Sequence, residues 1–239
     1  RFPKIKKIKG VKKRRPFRAE ELRQLFSAPV FTGMKAVKRR FEPGALVVRD
    51  AYFWLPILGY YTGARLGELV QLHVADIHLE GPVPFIDITE EGGDERGSGE
   101  EKSVKSEAGV RKVPLHADVI ALGFADFVAK AAKDKRSNKR LFWQVGFGAD
   151  GQASTVFSKW FGRLMDKAGL SDPSLVFHSF RHTAQDAFKN AFVPQYATDR
   201  IIGHSSGKTS DVYGDGISIE TASEATAKVK PPLPLLDAV

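Results

Sequence analysis

The sequence predicts a mainly α-helical protein with a small three-stranded antiparallel β-sheet, and three observations lead to this fold class. Apolar residues recur at helical spacing over most of the 239-residue chain. Short segments within 83–115 instead have the pattern of β-strands. The composition, 42% hydrophobic and 10% aromatic, is sufficient for a sizeable core. A chain of this length forms one large domain or two small ones.

Each predicted helix has an apolar pattern and most have a recognisable end. In chain order they are "AEELRQLFSAP", ended by Pro29; the strongly apolar "RDAYFWLPILGYYTG", ended by Gly63; "ARLGELVQLHVADI"; a helix marked by Val119, Leu122, Phe127 and Val128; a helix marked by Val156, Phe157, Trp160, Phe161, Leu164 and Met165; "HSFRHTAQDAF"; "PQYATDRII", starting at Pro194 and stopped by Gly203; and "SIETASEATAKV".

The predicted strands are "VPFIDIT", "KSVKS" and "VRKVPL", and "EAG" forms a tight turn between the last two. A polar, Gly-rich and acidic segment, "EEGGDERGSGEE", separates the first two strands. No regular structure is assigned to that segment.

The excess positive charge is confined to the N-terminal end of the chain. The net charge is +9, and residues 1–15 hold nine Lys and Arg and no acid, which leaves 28 bases against 28 acids elsewhere. Such a segment binds phosphate backbones without sequence preference. The alternative is a solvated linker with no ligand.

Cysteine is absent, which excludes disulfides and thiolate metal sites and suits a cytoplasmic location. No apolar run approaches the roughly 18 residues that a membrane span requires, so no membrane association is expected.

Basic residues crowd the start of the helix predicted at 178–188. Ser179 is a suitable N-cap, and His178, Arg181 and His182 flank it. The N-terminus is the positive end of the helix dipole, where a cation is disfavoured by about 0.3–1 kcal/mol. Broken local rules of this kind tend to mark functional sites.

A second predicted helix repeats the feature, with Thr62 as its cap and Arg65 in its first turn. Arg65 and Arg181 could hold two oxygens of one phosphate with their planar guanidinium groups. The alternative is two surface salt bridges, with Glu68 and Asp186 as the partners.

A zinc site is a further alternative, because His178 and His182 are four residues apart on one helical face. A zinc protease would have Glu where Ser179 stands, and no third ligand is near in sequence. No metal is therefore expected.

Five short motifs follow one another along the chain. "TGARLGEL" carries Arg65 and Glu68, "VKSEAGVRKVPL" carries Lys105, "HSFRH" carries His178 and Arg181, "IIGH" ends in His204, and "TSDVYG" places Tyr213 nine residues later. In this order and at these intervals they resemble the motifs of the tyrosine recombinases, or phage-type integrases. The resemblance runs from about residue 16 to 229 and implies the catalytic-domain fold of that family.

The resemblance implies an enzyme that cuts and rejoins DNA strands through a 3′-phosphotyrosyl intermediate, without cofactor or metal. The implied roles are Arg65 and Arg181 as the phosphate clamp, Tyr213 as nucleophile, His178 as base, His204 as donor to a phosphoryl oxygen, Lys105 as general acid and Glu68 as a supporting residue. The alternatives are a type IB topoisomerase and a catalytically silent DNA-binding module.

The resemblance also implies a domain organisation and an assembly. Residues 1–15 are expected to be a basic interdomain linker or tail, residues 16–229 the catalytic domain and residues 230–239 a C-terminal tail. The N-terminal core-binding domain of the family is expected to be absent from this chain. The expected partner is double-stranded DNA, bound by a tetramer on paired sites, with a monomer in free solution. Residues 218–236 are expected to dock on a neighbouring subunit, or alternatively to fold back in cis.

Overall fold

The computed structural model describes residues 14–89, 110–204 and 217–230. Within these ranges the helices are α1 (Ala19–Phe26), α2 (Pro29–Thr32), α3 (Ala51–Thr62), α4 (Leu66–Val70), α5 (Ala117–Ala121), α6 (Phe124–Lys133), α7 (Ala153–Lys167), α8 (Ser179–Asn190), α9 (Gln195–Ile202) and α10 (Ile219–Ala227). The strands are β1 (Met34–Ala36), β2 (Arg39–Pro43), β3 (Ile77–His78), β4 (Phe85–Ile88) and β5 (Arg111–Pro114). The predicted fold class, mainly α with a three-stranded antiparallel sheet, is confirmed.

The three-stranded sheet has the order β3-β4-β5, with antiparallel neighbours throughout. Ile77 pairs with Ile86, and Ile88 pairs with Arg111. The strands predicted in "VPFIDIT" and "VRKVPL" are β4 and β5. The strand predicted at 102–106 lies outside the described residues, and the third described strand, β3, is too short for its alternation to be read from sequence.

A second sheet of two strands, β1 and β2, was not predicted. Its strands carry charged, exposed side chains: Lys35 of β1 pairs with Glu42 of β2 across the hairpin, and Glu42 also pairs with Arg39 on its own strand. Because this hairpin packs only Met34 fully into the core, it lacks the apolar alternation that identifies a strand.

The central helix is α3, and its predicted end at Gly63 is confirmed. The Asp50 side chain caps the N-terminus by accepting a hydrogen bond from Tyr52 N–H at 3.0 Å. Gly63 ends it in the left-handed conformation that favours glycine (φ 63°). Every residue of α3 except Tyr52 is buried, as the unbroken apolar run indicates.

An aromatic core surrounds α3 and fixes its position against α8. A Cβ atom on Gly59 would stand 2.6 Å from the Phe177 ring, so only glycine allows this approach. Phe180 on α8 contacts Phe26 of α1 and Tyr60 of α3 with centroid separations of 6.3 and 6.2 Å. The C-terminal end of α3 therefore meets the N-terminal region of α8.

Three predicted helices differ from the structure. The helix predicted through Val119 and Phe127 is two helices, because Gly123 adopts a left-handed conformation between α5 and α6. The first helix ends at Phe26 rather than at Pro29, which begins α2 instead.

The helix predicted as "ARLGELVQLHVADI" ends at Val70. Beyond it, the His73 N–H donates to the Asp76 carboxylate at 2.7 Å and the Val74 N–H donates to the Lys139 carbonyl at 2.9 Å. These bonds divert the backbone from the helix into a short 3₁₀ turn over Val74–Asp76.

The remaining helices agree with their patterns. Helix α7 buries the predicted apolar stripe except Val156, which is partly buried. Helix α9 ends at Gly203, which is left-handed with φ 75°. Helix α10 packs on β5 and α9 of its own chain. No helix in the described ranges has both the length and the apolarity to cross a membrane.

Candidate active site

Arg65 lies at the junction of α3 and α4, and it is itself the N-cap of α4. Thr62 does not cap this helix, contrary to prediction, because it is the last residue of α3 and its hydroxyl accepts from Ala64 N–H at 3.1 Å. The Arg65 N–H and Nη1–H donate to the two carboxylate oxygens of Glu68 at 2.9 and 2.6 Å. The alternative salt bridge to Glu68 thus exists, but its carboxylate is only 4% exposed and not on the surface.

Glu68 is held by a second arginine that sequence reasoning did not single out. Arg111 on β5 donates from Nη2 to Glu68 Oε2 at 2.9 Å. Burial alone would raise the pKa of Glu68, but the charge and hydrogen bond of Arg111, followed by the bonds from Arg65, lower it. Glu68 is therefore an ionised carboxylate between two guanidinium groups.

The signal that could have revealed Arg111 is the alternation of its strand. In "VRKVPL" the buried Val113 and Arg111 share one face of β5, while Lys112 points to solvent. A basic residue on the apolar face of a strand needs a buried partner, which points to an ionic cluster.

Arg181 is 3% exposed and bonds to main-chain carbonyls. Its Nη1–H groups donate to Gly63 O at 3.2 Å and to Ile202 O, and Nη2–H donates to Gly203 O at 2.8 Å. Among the described residues it forms no ion pair with Asp186, so that alternative is wrong. These carbonyls lie at the C-terminal ends of α3 and α9, where the helix dipole favours a cation.

The two predicted arginines meet at a single oxygen atom. Arg65 Nη2–H donates to Gly203 O at 3.3 Å, and Arg181 donates to the same oxygen. Burial first, and then the charges of Arg65 and Arg111, lower the pKa of Arg181 to about 10. Arg181 remains protonated at neutral pH, so two adjacent positive charges persist.

His178 stands at the N-cap position of α8, in helical conformation. Ser179 was expected there, but it is the first helical residue, and its hydroxyl accepts from Val176 N–H at 3.1 Å. Surrounding protein atoms first, and then the charges of His182, Arg181 and Arg65, lower the pKa of His178 to about 4, although the residue is exposed. His178 is therefore a neutral imidazole at neutral pH.

His178 and His182 stack edge to face with centroids 5.2 Å apart. In the part of the chain that the structure describes, no group of three potential His, Cys, Asp or Glu ligands forms a metal site.

His204 follows the left-handed Gly203 directly after α9, and its side chain is 52% exposed. The backbone N–H of His204 donates to the backbone carbonyl of Asp199 at 2.8 Å, and the ring Nδ1 lies 3.7 Å from the Asp199 carboxylate. The arrangement places His204 next to the carbonyl oxygen shared by the two arginines.

The structure thus gathers four predicted residues and Glu68 where α4 and α8 begin and α3 and α9 end. Lys105 and Tyr213 lie outside the described residues. Two guanidinium groups, a neutral imidazole and an exposed histidine form a site suited to an anion whose charge increases during reaction.

The chain matches the family model described as "Phage integrase family" over residues 34–216. Its fold is similar to the integrase from mycobacterium phage Brujita, with a TM-score of 0.55 and 17% identity over 95% of this chain and 61% of that chain. It is also similar to the XerH site-specific recombinase bound to its difH substrate, with a TM-score of 0.55 and 22% identity over 84% of this chain and 50% of that one.

The chain spans about half to two thirds of the length of these proteins. No curated protein matched the sequence. At these identities the structural matches establish the fold, and the family model, which covers most of the chain, establishes the family. The chain belongs to the phage integrase family.

Proposed function

We propose that this chain carries the catalytic domain of a site-specific DNA recombinase, which cuts and rejoins double-stranded DNA through a 3′-phosphotyrosyl intermediate. The observation that supports this most directly is the pair formed by Arg65 and Arg181 on Gly203 O. In this proposal residues 16–229 form the catalytic domain, 1–15 a linker and 230–239 a tail. Arg15 of the linker forms an ion pair with Glu21 of α1 at 2.7 Å.

The arginine pair acts as the phosphate clamp. A phosphodiester already carries a negative charge, and its transition state spreads more charge over the non-bridging oxygens. Fixed cations lower that barrier without reorganising, and loss of one such donor commonly slows a reaction by about 10²–10³-fold. The helix-dipole penalty of about 0.3–1 kcal/mol is small beside that gain.

The reaction begins with attack by the Tyr213 phenol on the phosphorus atom. The phenolic proton passes to His178, whose neutral imidazole can accept it. Binding of the anionic phosphate adds a negative charge and raises the pKa of His178, so the base strengthens as substrate binds. His204 donates a hydrogen bond to a phosphoryl oxygen.

As the tyrosyl ester forms, the bond between phosphorus and the 5′-oxygen breaks. Lys105 donates the proton that this oxygen needs to depart as a hydroxyl, since a lysine among other cations loses its proton readily. A 5′-hydroxyl of another strand then attacks the ester and releases the phenol, which reverses the same proton transfers. The bond energy is kept in the ester, so neither cofactor nor metal enters.

The proposal is tested by trapping the intermediate on a nicked suicide duplex that carries the cognate site. The native protein should form a covalent protein–DNA complex, and Tyr213→Phe should form none, because phenylalanine has no oxygen to esterify. The matched control is Tyr196→Phe, which removes the hydroxyl of an exposed tyrosine on α9 and should leave the complex unchanged.

Each other result has a defined meaning. A covalent complex that survives Tyr213→Phe rejects the nucleophile, and tight binding with no complex from the native protein indicates a catalytically silent module. Relaxation of supercoiled DNA without exchange between two sites indicates a type IB topoisomerase.

The proposal also includes a tetramer on paired sites and a cytoplasmic location.

A further inference from the structure

Arg111 is a buried arginine that the reaction above does not use. It pairs with Ile88 in the ladder of β4 and β5, and its side chain is 1% exposed. Its Nε–H donates to Ile201 O at 2.9 Å, and its Nη2–H donates to Glu68 Oε2 at 2.9 Å. Arg111 therefore ties the sheet to the first turn of α4 and to the last turn of α9.

The guanidinium of Arg111 also lies against the backbone of Gly203. A Cβ atom at this glycine would stand 2.5 Å from Nη1 and 2.6 Å from Cζ of Arg111. The carbonyl of Gly203 is the oxygen on which Arg65 and Arg181 meet. Arg111 thus contacts the carboxylate that holds Arg65 and the glycine that joins the two arginines.

Arg111 also controls the charge of Glu68. Burial is the largest influence on both groups, and it lowers the pKa of Arg111 and opposes ionisation of Glu68. The attraction between the two offsets burial for Glu68, whose pKa falls below its ordinary value. Without Arg111, burial would favour the neutral carboxyl, which holds the Arg65 guanidinium less firmly.

We propose that Arg111 is a positioning residue for strand cleavage, acting through Glu68 and the end of α9 to hold both arginines of the clamp. This inference rests on the proposed function, although the contacts that carry it are independent of DNA. Small misplacements of a reacting group slow a reaction by up to about 10²-fold. Removal of Arg111 should therefore slow cleavage about 10- to 10²-fold and leave binding of the same duplex unchanged.

The test compares Arg111→Met with Lys112→Met in single-turnover cleavage of the suicide duplex at saturating protein. Both variants remove one positive charge from β5, but Lys112 is exposed and contacts the Phe85 ring rather than Glu68. Only Arg111→Met should slow cleavage, and its remaining activity should fall further on acidification as Glu68 takes up a proton. A general structural defect would not introduce this new pH dependence.

A second measurement needs no DNA. The carboxyl carbon of Glu68, assigned in a ¹³C NMR spectrum by its loss in Glu68→Gln, should titrate at higher pH in Arg111→Met than in the native protein. Arg111→Lys keeps the positive charge but cannot donate to both Ile201 O and Glu68 as the guanidinium does. Cleavage should therefore recover in part, and Glu68 should titrate as in the native protein.

The inference is overturned if folded Arg111→Met cleaves at the native rate, or if Glu68 titrates identically in both proteins. Should Arg111→Met fail to fold, Arg111→Lys decides: a rate about 10-fold below native supports positioning, and a native rate refutes it. A native protein that forms no covalent complex refutes the proposed function instead, while the Glu68 titration still tests the control of that carboxylate by Arg111.

Discussion

Arg65 and Arg181 meet on one carbonyl oxygen, but the protein holds them by opposite means. Arg65 is 27% exposed, caps a helix and is paired with the carboxylate of Glu68 at 2.6 Å. Arg181 is 3% exposed and donates to carbonyl oxygens at the ends of α3 and α9. Arg65 is held mainly by the side chain of Glu68, whereas Arg181 is held by main-chain carbonyl oxygens.

This difference should separate the effects of the two arginines on the proposed cleavage from their effects on the stability of the fold. If Arg65 is lost, Glu68 still has Arg111 as a buried partner. If Arg181 is lost, Gly63 O and Ile202 O lose its guanidinium as donor, while Gly203 O keeps Arg65. A buried acceptor without a donor is destabilising. We therefore expect similar effects of the two arginines on cleavage and unequal effects on folding.

The largest expected effect is that of Arg181→Met on the free energy of unfolding. It should fall by about 3–5 kcal/mol, because the buried carbonyl oxygens of Gly63 and Ile202 lose the Arg181 donor, at about 1–3 kcal/mol each. Arg65→Met should lower it by only about 1–2 kcal/mol, because the lost side-chain bonds to Glu68 and Gly203 O belong to a partly exposed residue. Both variants should reduce cleavage by about 10²–10³-fold. Urea denaturation and the suicide duplex measure the two effects, and equal destabilisation would remove the distinction between the arginines.

The next effect concerns the residue on which the arginines meet. Gly203→Ala should destabilise the protein by about 2–3 kcal/mol, because it combines a left-handed backbone with a close contact to Arg111. Gly151→Ala is the matched control: its φ is +71°, but a Cβ atom there meets nothing within 4 Å. It should therefore show only the backbone strain, about 1 kcal/mol. If thermal unfolding gave the same loss of stability for Gly203→Ala and Gly151→Ala, the contact between residue 203 and Arg111 would not be tight.

The smallest expected effect is a pH dependence from His178, which faces both arginines. Its folded pKa of about 4 lies below the ordinary 6.5, so between these values the unfolded chain binds a proton that the folded protein does not. Its contribution to stability is present above pH 6.5 and is lost as the pH falls towards 4. Because the residue is exposed, solvent screening limits the effect to about 1 kcal/mol.

Unfolding measured across this pH range in native protein, His178→Gln and His78→Gln tests the sign. His78 is an exposed histidine on β3 and serves as the control. Only His178→Gln should flatten the slope, and an unchanged slope would mean that neither burial nor the neighbouring charges lower the pKa of that imidazole.

The helices were predictable wherever their signals are local. The apolar run and Gly63 define α3, and Pro194 and Gly203 bound α9 as predicted. The hairpin of β1 and β2 was missed because most of its side chains face solvent, so no alternation marks it. Its strands depend on pairing with each other, which sequence periodicity does not record.

The site was predictable in part for a different reason. The motifs identified Arg65, His178, Arg181 and His204, which the structure gathers in one place. Both predicted caps, Thr62 and Ser179, were wrong, since the carboxylate of Glu68 satisfies the start of α4 and Ser179 lies one residue inside α8.

The sequence alone determined the fold class, the family motifs and the ends of the main helices, because these depend on periodicity and on residues with restricted backbones. It also raised the anomaly of arginines at helix N-termini. Only the tertiary structure explained that anomaly: Arg181 begins one helix but lies at the C-terminal ends of two others, whose carbonyls attract a cation. The electrostatic environment of a side chain depends on the helix ends that pack around it. Contacts between segments far apart in the sequence cannot be predicted from the spacing of neighbouring residues.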